Sequence, residues 1–200
     1  MKAMGLAWLL LGVISHAQPS SAAPAGKPAP PVYPERFHIG RAATAEEIAR
    51  WAIAVPPDGR GLPPGRGTAA EGAAVYATKC AACHGLAGEG NKELRGPRLI
   101  PQPGDAYDFG VGRRNDDMRT IGTYWPYATT VFDYVRRAMP SAAPGSLTDG
   151  EVYAVTAFLL AKNGLIAEAD VIDAQTLPKV KMPARSRYVP DDRLQTNAVR

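Results

Sequence analysis

The sequence predicts an all-α fold, a small helical domain flanked by extended Pro-rich arms. Two observations carry this reading. The pattern T-x-x-E occurs at Thr44–Glu47, Thr68–Glu71 and Thr148–Glu151, and apolar residues follow each at helical spacing. In such a capping box the threonine hydroxyl accepts from the fourth residue's N–H while the glutamate accepts from the threonine's own. The 20 glycines and 19 prolines are unevenly spread and leave no convincing run of alternating strands.

Residues 1–17 read as a secretory signal. Lys2 supplies a positive start, Ala3 to Ile14 is apolar but too short to span a bilayer comfortably, and Ser15-His16-Ala17 offers a cleavage site near Ala17. The expectation is export to the periplasm, with an uncleaved anchor as the alternative. Residues 18–67 form an N-terminal arm. Gln18 to Pro34 is a polyproline-type leader. The box at Thr44 opens a short helix to about Trp51, with Ile48 and Trp51 on one face. Pro56-Pro57-Asp58-Gly59 stops it, and Gly59 to Gly67 has no periodic pattern.

Residues 68–164 hold the domain. Its first helix starts at Thr68 and carries Ala74, Val75 and Tyr76. Gly85 to Asp117 is rich in loops, and Ile121 to Pro126 reads as an aromatic turn. A helix from about Ala128 to Ala138 places Val131, Phe132 and Val135 on one side and ends at Met139-Pro140. The box at Thr148 opens the last helix, with Leu147 and Val152 as a hydrophobic staple, and Asn163-Gly164 closes it. Residues 165–200, broken by Pro178, Pro183 and Pro190, read as an extended tail.

The chemistry sits in Cys80-Ala81-Ala82-Cys83-His84. C-x-x-C-H is the attachment signature of a c-type haem. The two thiols form thioethers with the porphyrin vinyl groups, and the adjacent histidine binds iron. A thioredoxin-like pair would follow a strand, whereas this motif follows a helix pattern. A zinc site would need further Cys or His ligands at suitable spacing. Both cysteines of the chain lie in the motif, so none remains for a disulfide. Pro97 offers a carbonyl to the second ring nitrogen of His84, fixing its tautomer. For the sixth iron position, Met139 ends a helix shortly before the last one, while Met118 and Met182 lie in a loop and the tail. His38, a packing role for Met139, or an open site are the alternatives. A thioether favours ferrous iron and raises the potential. Trp125, Tyr124 and Tyr127 could bond the propionates, with Arg119 or Arg98 offsetting their charge.

The net charge of +4 comes with no basic run long enough to suggest nucleic acid. No residue set suggests a nucleophile or general base beside an open metal, so catalysis by this chain alone is not expected.

With these residues in place the chain resembles a class I c-type cytochrome. The stretches Phe37–Thr44, Pro57–Gly65, Ile121–Ala128, Arg136–Pro140 and Gly145–Thr156 are similar to the SoxD-type cytochrome subunit of sulfite and sulfane dehydrogenases of the Sox sulfur-oxidation system. The resemblance implies one haem c and a molybdenum-cofactor dehydrogenase subunit as partner in a heterodimer. It also implies electron flow from that subunit through this chain to another cytochrome c. Some relatives carry a second haem domain, and this chain has a single C-x-x-C-H. Trp51-Ala52-Ile53-Ala54-Val55 has alanines where relatives are expected to carry acidic residues. The alternative is a free-standing periplasmic electron shuttle, in which the arms are linkers. A third possibility is a haem enzyme or gas sensor with an open iron.

Overall fold

A computed structural model describes Val32 and residues 39–105 and 119–189. The signal stretch, the leader apart from Val32, His38, Met118 and the end of the tail lie outside the described residues. Two units separate, Met1–Ala42 and Ala43–Arg200, and every element below belongs to the second.

In chain order these are α1 (Ala45–Trp51), β1 (Arg66–Thr68), α2 (Ala69–Lys79), α3 (Ala81–His84), α4 (Ile121–Tyr124), α5 (Ala128–Ala138), α6 (Asp149–Lys162) and β2 (Val171–Asp173). Two 3-10 turns, Leu177–Lys179 and Pro183–Arg187, follow. All three T-x-x-E patterns form capping boxes, at the starts of α1, α2 and α6. The stretch 121–124 is a fourth helix, a single turn capped by Thr120 and Thr123. Its sequence reading as a turn misses it because one turn is too short to show a period.

α6 is the centre of the fold. Val152 to Leu160 are buried without a break, as expected of a helix apolar on every side. α2 crosses it closely. A Cβ at Gly72 would meet the Ala154 carbonyl, and one at Gly67 the Ala154 backbone, so only glycine permits this approach. Tyr76 and Phe158 rings pack 5.0 Å apart beside the crossing. From the other side α5 presents Val131, Phe132 and Val135, all buried, and Phe132 meets Tyr153 at 4.5 Å.

The flanks differ from the sequence expectation. The stretch from Gly59 to Gly67 was to have no strand, yet Arg66–Thr68 forms β1. It pairs antiparallel with β2, with Gly67 opposite Ile172. Residues 165–200 read as an extended tail. Within 165–189 the chain instead returns to the core, burying Ile172, Leu177, Met182 and Ala184. A three-residue strand and two short turns carry no detectable period, which is why the pattern hides them. The arm is likewise held from Val55 onward. Val55 is buried and its N–H donates to Asp133 Oδ1 (2.8 Å). Tyr153 donates to Pro63 O (2.8 Å). No helix among the described residues is long and apolar enough to cross a membrane.

Candidate haem site

α2 ends at Lys79, and the chain makes one further turn before stopping. Cys83 N–H and His84 N–H both donate to Cys80 O, at 3.1 and 3.0 Å. Residues three and four apart on a helical turn share a face. The turn therefore directs Cys83 and His84 to the side of Cys80. Gly85 ends the turn with φ +82, a left-handed conformation that favours glycine. Buried Tyr76 fixes the exit by donating its hydroxyl proton to Gly85 O (2.8 Å).

The loop that follows is stitched back onto the motif. Gly90 N–H donates to His84 O (2.7 Å), and Leu99 and Ile100 N–H groups both donate to Gly88 O. A Cβ at Gly96 would collide with Cys83 O. This close approach sets Pro97 O 2.8 Å from His84 Nδ1. A carbonyl only accepts, so the bond needs the proton on Nδ1 and leaves the Nε2 lone pair available.

His84 and Cys83 line a cavity of about 510 Å³, and Met139 lines it too, with Leu99, Ile121, Val131, Val135 and Leu159 as apolar walls. That volume lies within the range of about 300–1,000 Å³ usual for cofactor sites. Met139 directly follows α5, and its N–H donates to Val135 O (3.1 Å). Val131, Val135 and Met139 recur every four residues, which aligns all three along α5 toward the cavity. Met182 is buried in the core cluster instead and does not line the cavity.

Trp125, Tyr124, Arg119 and Arg98 are also in the lining. Arg98 is paired with Asp105 at 2.7 Å. Arg119 lies over the Tyr124 ring, 4.8 Å from its centroid. Tyr127 is not in the lining. Its ring sits beneath Arg185 of the returning tail, at 4.9 Å. Tyr134 was missed by sequence reasoning. It lines the cavity, packs 5.6 Å from Trp125 and is partly exposed. Its place three residues after Val131, and one before Val135, was the available signal.

The donor set fits a covalently attached haem: two thiols and an imidazole on one turn, a thioether lining the same largely apolar cavity, and a fixed imidazole tautomer. It does not fit the other readings of C-x-x-C-H. Burial and the neighbouring Cys83 push the Cys80 thiol up to about 11, the opposite of the depressed thiol of a disulfide oxidoreductase. Among the described residues no three His, Cys, Asp or Glu side chains converge as metal ligands.

Known proteins agree. The family model described as Cytochrome c matches residues 69–163. A chain in the crystal structure of the sulfane dehydrogenase SoxCD from Paracoccus pantotrophus is 41% identical, with a TM-score of 0.65. The match covers 81% of this chain and 76% of that one. A thiosulfate dehydrogenase of Stutzerimonas stutzeri (strain A1501) is 29% identical over 133 residues, covering 61% of this chain and 39% of that protein. The chain thus spans about two fifths of that relative's length. With haem c implied by the matched domain and a solved relative aligned well beyond it, the chain belongs to the cytochrome c family.

Proposed function

We propose that this chain is the periplasmic, monohaem electron-transfer subunit of a sulfur-oxidising dehydrogenase. It accepts electrons from a molybdenum-cofactor subunit that oxidises sulfite or a sulfane-sulfur compound, and it delivers them to another cytochrome c. The observation that carries this is the extent of the match to the SoxCD chain. It covers 81% of this chain, beyond the 69–163 domain that a free carrier needs, and so includes much of the flanks. The ordered arm and returning tail belong with this reading, since a shuttle has no use for a laid-down flank. Export rests on the signal-like start of the sequence.

In this reading Cys80 and Cys83 would hold the haem as thioethers, and His84 through Nε2 and Met139 through Sδ would ligate its iron. When bound, the haem supplies a one-electron ferric/ferrous couple. Pro97 O keeps the His84 ring oriented and its Nδ1 protonated. Met139 supplies a neutral thioether from a helix end that packing holds. The apolar walls would exclude water from the bound group, while Tyr124, Trp125 and Arg119, which also line the cavity, would offer polar groups to its propionates.

The test is gentle purification from the source periplasm, following haem absorbance. A co-eluting molybdenum protein that reduces this chain when given sulfite or a sulfane-sulfur donor establishes the proposal. A lone cytochrome under those conditions overturns it in favour of a free shuttle. A spectrum that responds to carbon monoxide would instead remove Met139 as ligand.

A further inference from the structure

We infer that Asn163, at the far end of α6, is a positioning residue for His84. The inference rests on the haem reading above. Asn163 is buried, 7% exposed, and its amide makes three hydrogen bonds. Nδ2 donates to Leu159 O (2.8 Å) in its own helix and to Leu99 O (3.0 Å), 64 residues away. Oδ1 accepts from Gly122 N–H (2.9 Å), 41 residues away.

A helix-terminal asparagine is commonly there because it tolerates a left-handed backbone. That explanation fails here. Asn163 has φ −94, and it is Gly164 that takes the left-handed turn, with φ +68. What distinguishes asparagine at this position is the amide, which bonds two segments that are remote in sequence.

Both segments line the haem cavity. Leu99 is held on each side of its residue: its carbonyl by Asn163 and by Ile121 N–H (3.0 Å), its N–H by Gly88 O (2.9 Å). One residue, Arg98, separates it from Pro97. Upstream, Gly96 is fixed by paired bonds with Asn91 and by its contact with Cys83 O. The proline ring restricts φ at Pro97 itself. The Pro97 carbonyl is thus suspended between two anchors, and Asn163 together with Ile121 N–H ties the downstream one to the core. The same amide holds the start of α4, whose last residue, Tyr124, and the following Trp125 form another wall.

An acceptor on Nδ1–H raises the donor strength of the imidazole, which favours ferric iron. Removing the Asn163 bond leaves the Leu99 carbonyl held by Ile121 N–H alone, which gives the Pro97 carbonyl more freedom, weakens its bond to His84 and raises the reduction potential. Asn163→Leu keeps the volume and removes all three bonds. The holoprotein carrying it should show a higher midpoint potential, and the His84 Nδ1 proton, followed by NMR, should exchange about tenfold faster, the loss of one hydrogen bond. Val152→Ala, a core cavity in the same helix away from the loop, serves as control and should change stability without moving potential or exchange. Potential and exchange unchanged in Asn163→Leu, or moved equally by Val152→Ala, overturn the inference. If Asn163→Leu does not accumulate, Asn163→Ser is read by the same two quantities and the same criteria. A wild-type chain that carries no haem overturns the haem reading itself, a result distinct from either.

Discussion

α1 and α6 begin in the same way and end up in opposite surroundings. Each opens with a threonine whose hydroxyl accepts from a glutamate N–H, and with that glutamate reaching back to the threonine's own. α6 then buries nine residues in succession and α1 buries none. In α1, Ile48 is 55% and Trp51 87% exposed. The capping box decides where a helix starts, because it satisfies backbone donors that have no partner in the first turn. It says nothing about what the helix packs against. That depends on apolar composition and on which segments return to cover it. α6 is covered by α2, α5 and the β1–β2 pair, while α1 ends at Trp51, ahead of Pro56-Pro57, after a single apolar stripe.

The sharpest measurement of this difference is a truncation in the buried helix. Leu160 is fully buried. Leu160→Ala should cost about 2–5 kcal/mol by chemical denaturation of the holoprotein. A cost below 1 kcal/mol would mean α6 is not the packing centre described above.

The tail extends the comparison to a segment with no start signal at all. Leu177 is as buried as Leu160 although nothing periodic surrounds it. Leu177→Ala should also cost about 2–5 kcal/mol, whereas an extended, detached tail would leave stability unchanged. This contrast shows how much of the fold was legible. α2 and α6 were, because capping boxes and a 3.6-residue period mark them, and so was α5, through its period and the Met139-Pro140 stop. So was the grouping of Cys80, Cys83 and His84, which follows from one helical turn. The tail was not. Ile172, Leu177, Met182 and Ala184 are spaced five, five and two residues apart, and each is fixed by a contact made elsewhere in the chain. Their turns rely instead on local polar bonds, such as Asp173 Oδ1 accepting from Gln175 and Thr176 N–H at 2.8 Å. Asn163 was legible only as a helix terminator, since its long-range bonds leave no trace in local sequence.

A buried charge joins the arm to the domain, and it can be titrated. Burial opposes ionisation of Asp133. The Arg137 guanidinium and the Val55 N–H outweigh it and hold the carboxyl below its usual range. A depressed native value means the contribution is complete above the unfolded value of about 3.9 and is lost as pH falls through the native one. Asp133→Asn should cost about 1–3 kcal/mol at neutral pH, and its deficit relative to wild type should shrink in that acidic window. A deficit that is constant with pH would show that the charge is not what holds Val55.

The two caps themselves can be set against each other. Thr148→Ala removes the cap of the central helix and should cost about 1 kcal/mol in global stability. Thr44→Ala removes the same bonds from a helix with no buried residue. Its effect should be confined to local fraying, seen as faster amide exchange in α1 with an unchanged unfolding midpoint. Equal global costs would mean that α1 unfolds together with the core.

The smallest expected effect on the isolated chain is the most informative about its role. Trp51 contributes no burial, so Trp51→Ala should change stability by less than about 0.5 kcal/mol. An exposed tryptophan held on a capped helix is nonetheless of the residue type enriched at the centres of protein interfaces. If the arm is laid down for a dehydrogenase subunit, the same substitution should weaken that complex by at least about tenfold, since interface tryptophans commonly cost more than 1 kcal/mol when truncated. Titrating wild-type and Trp51→Ala cytochrome against the co-purified partner separates the outcomes. Equal affinity would place the partner's contact elsewhere and leave α1 a surface helix. A loss of affinity with stability intact would show that the cap common to α1 and α6 organises two different things, a core in one and a docking element in the other.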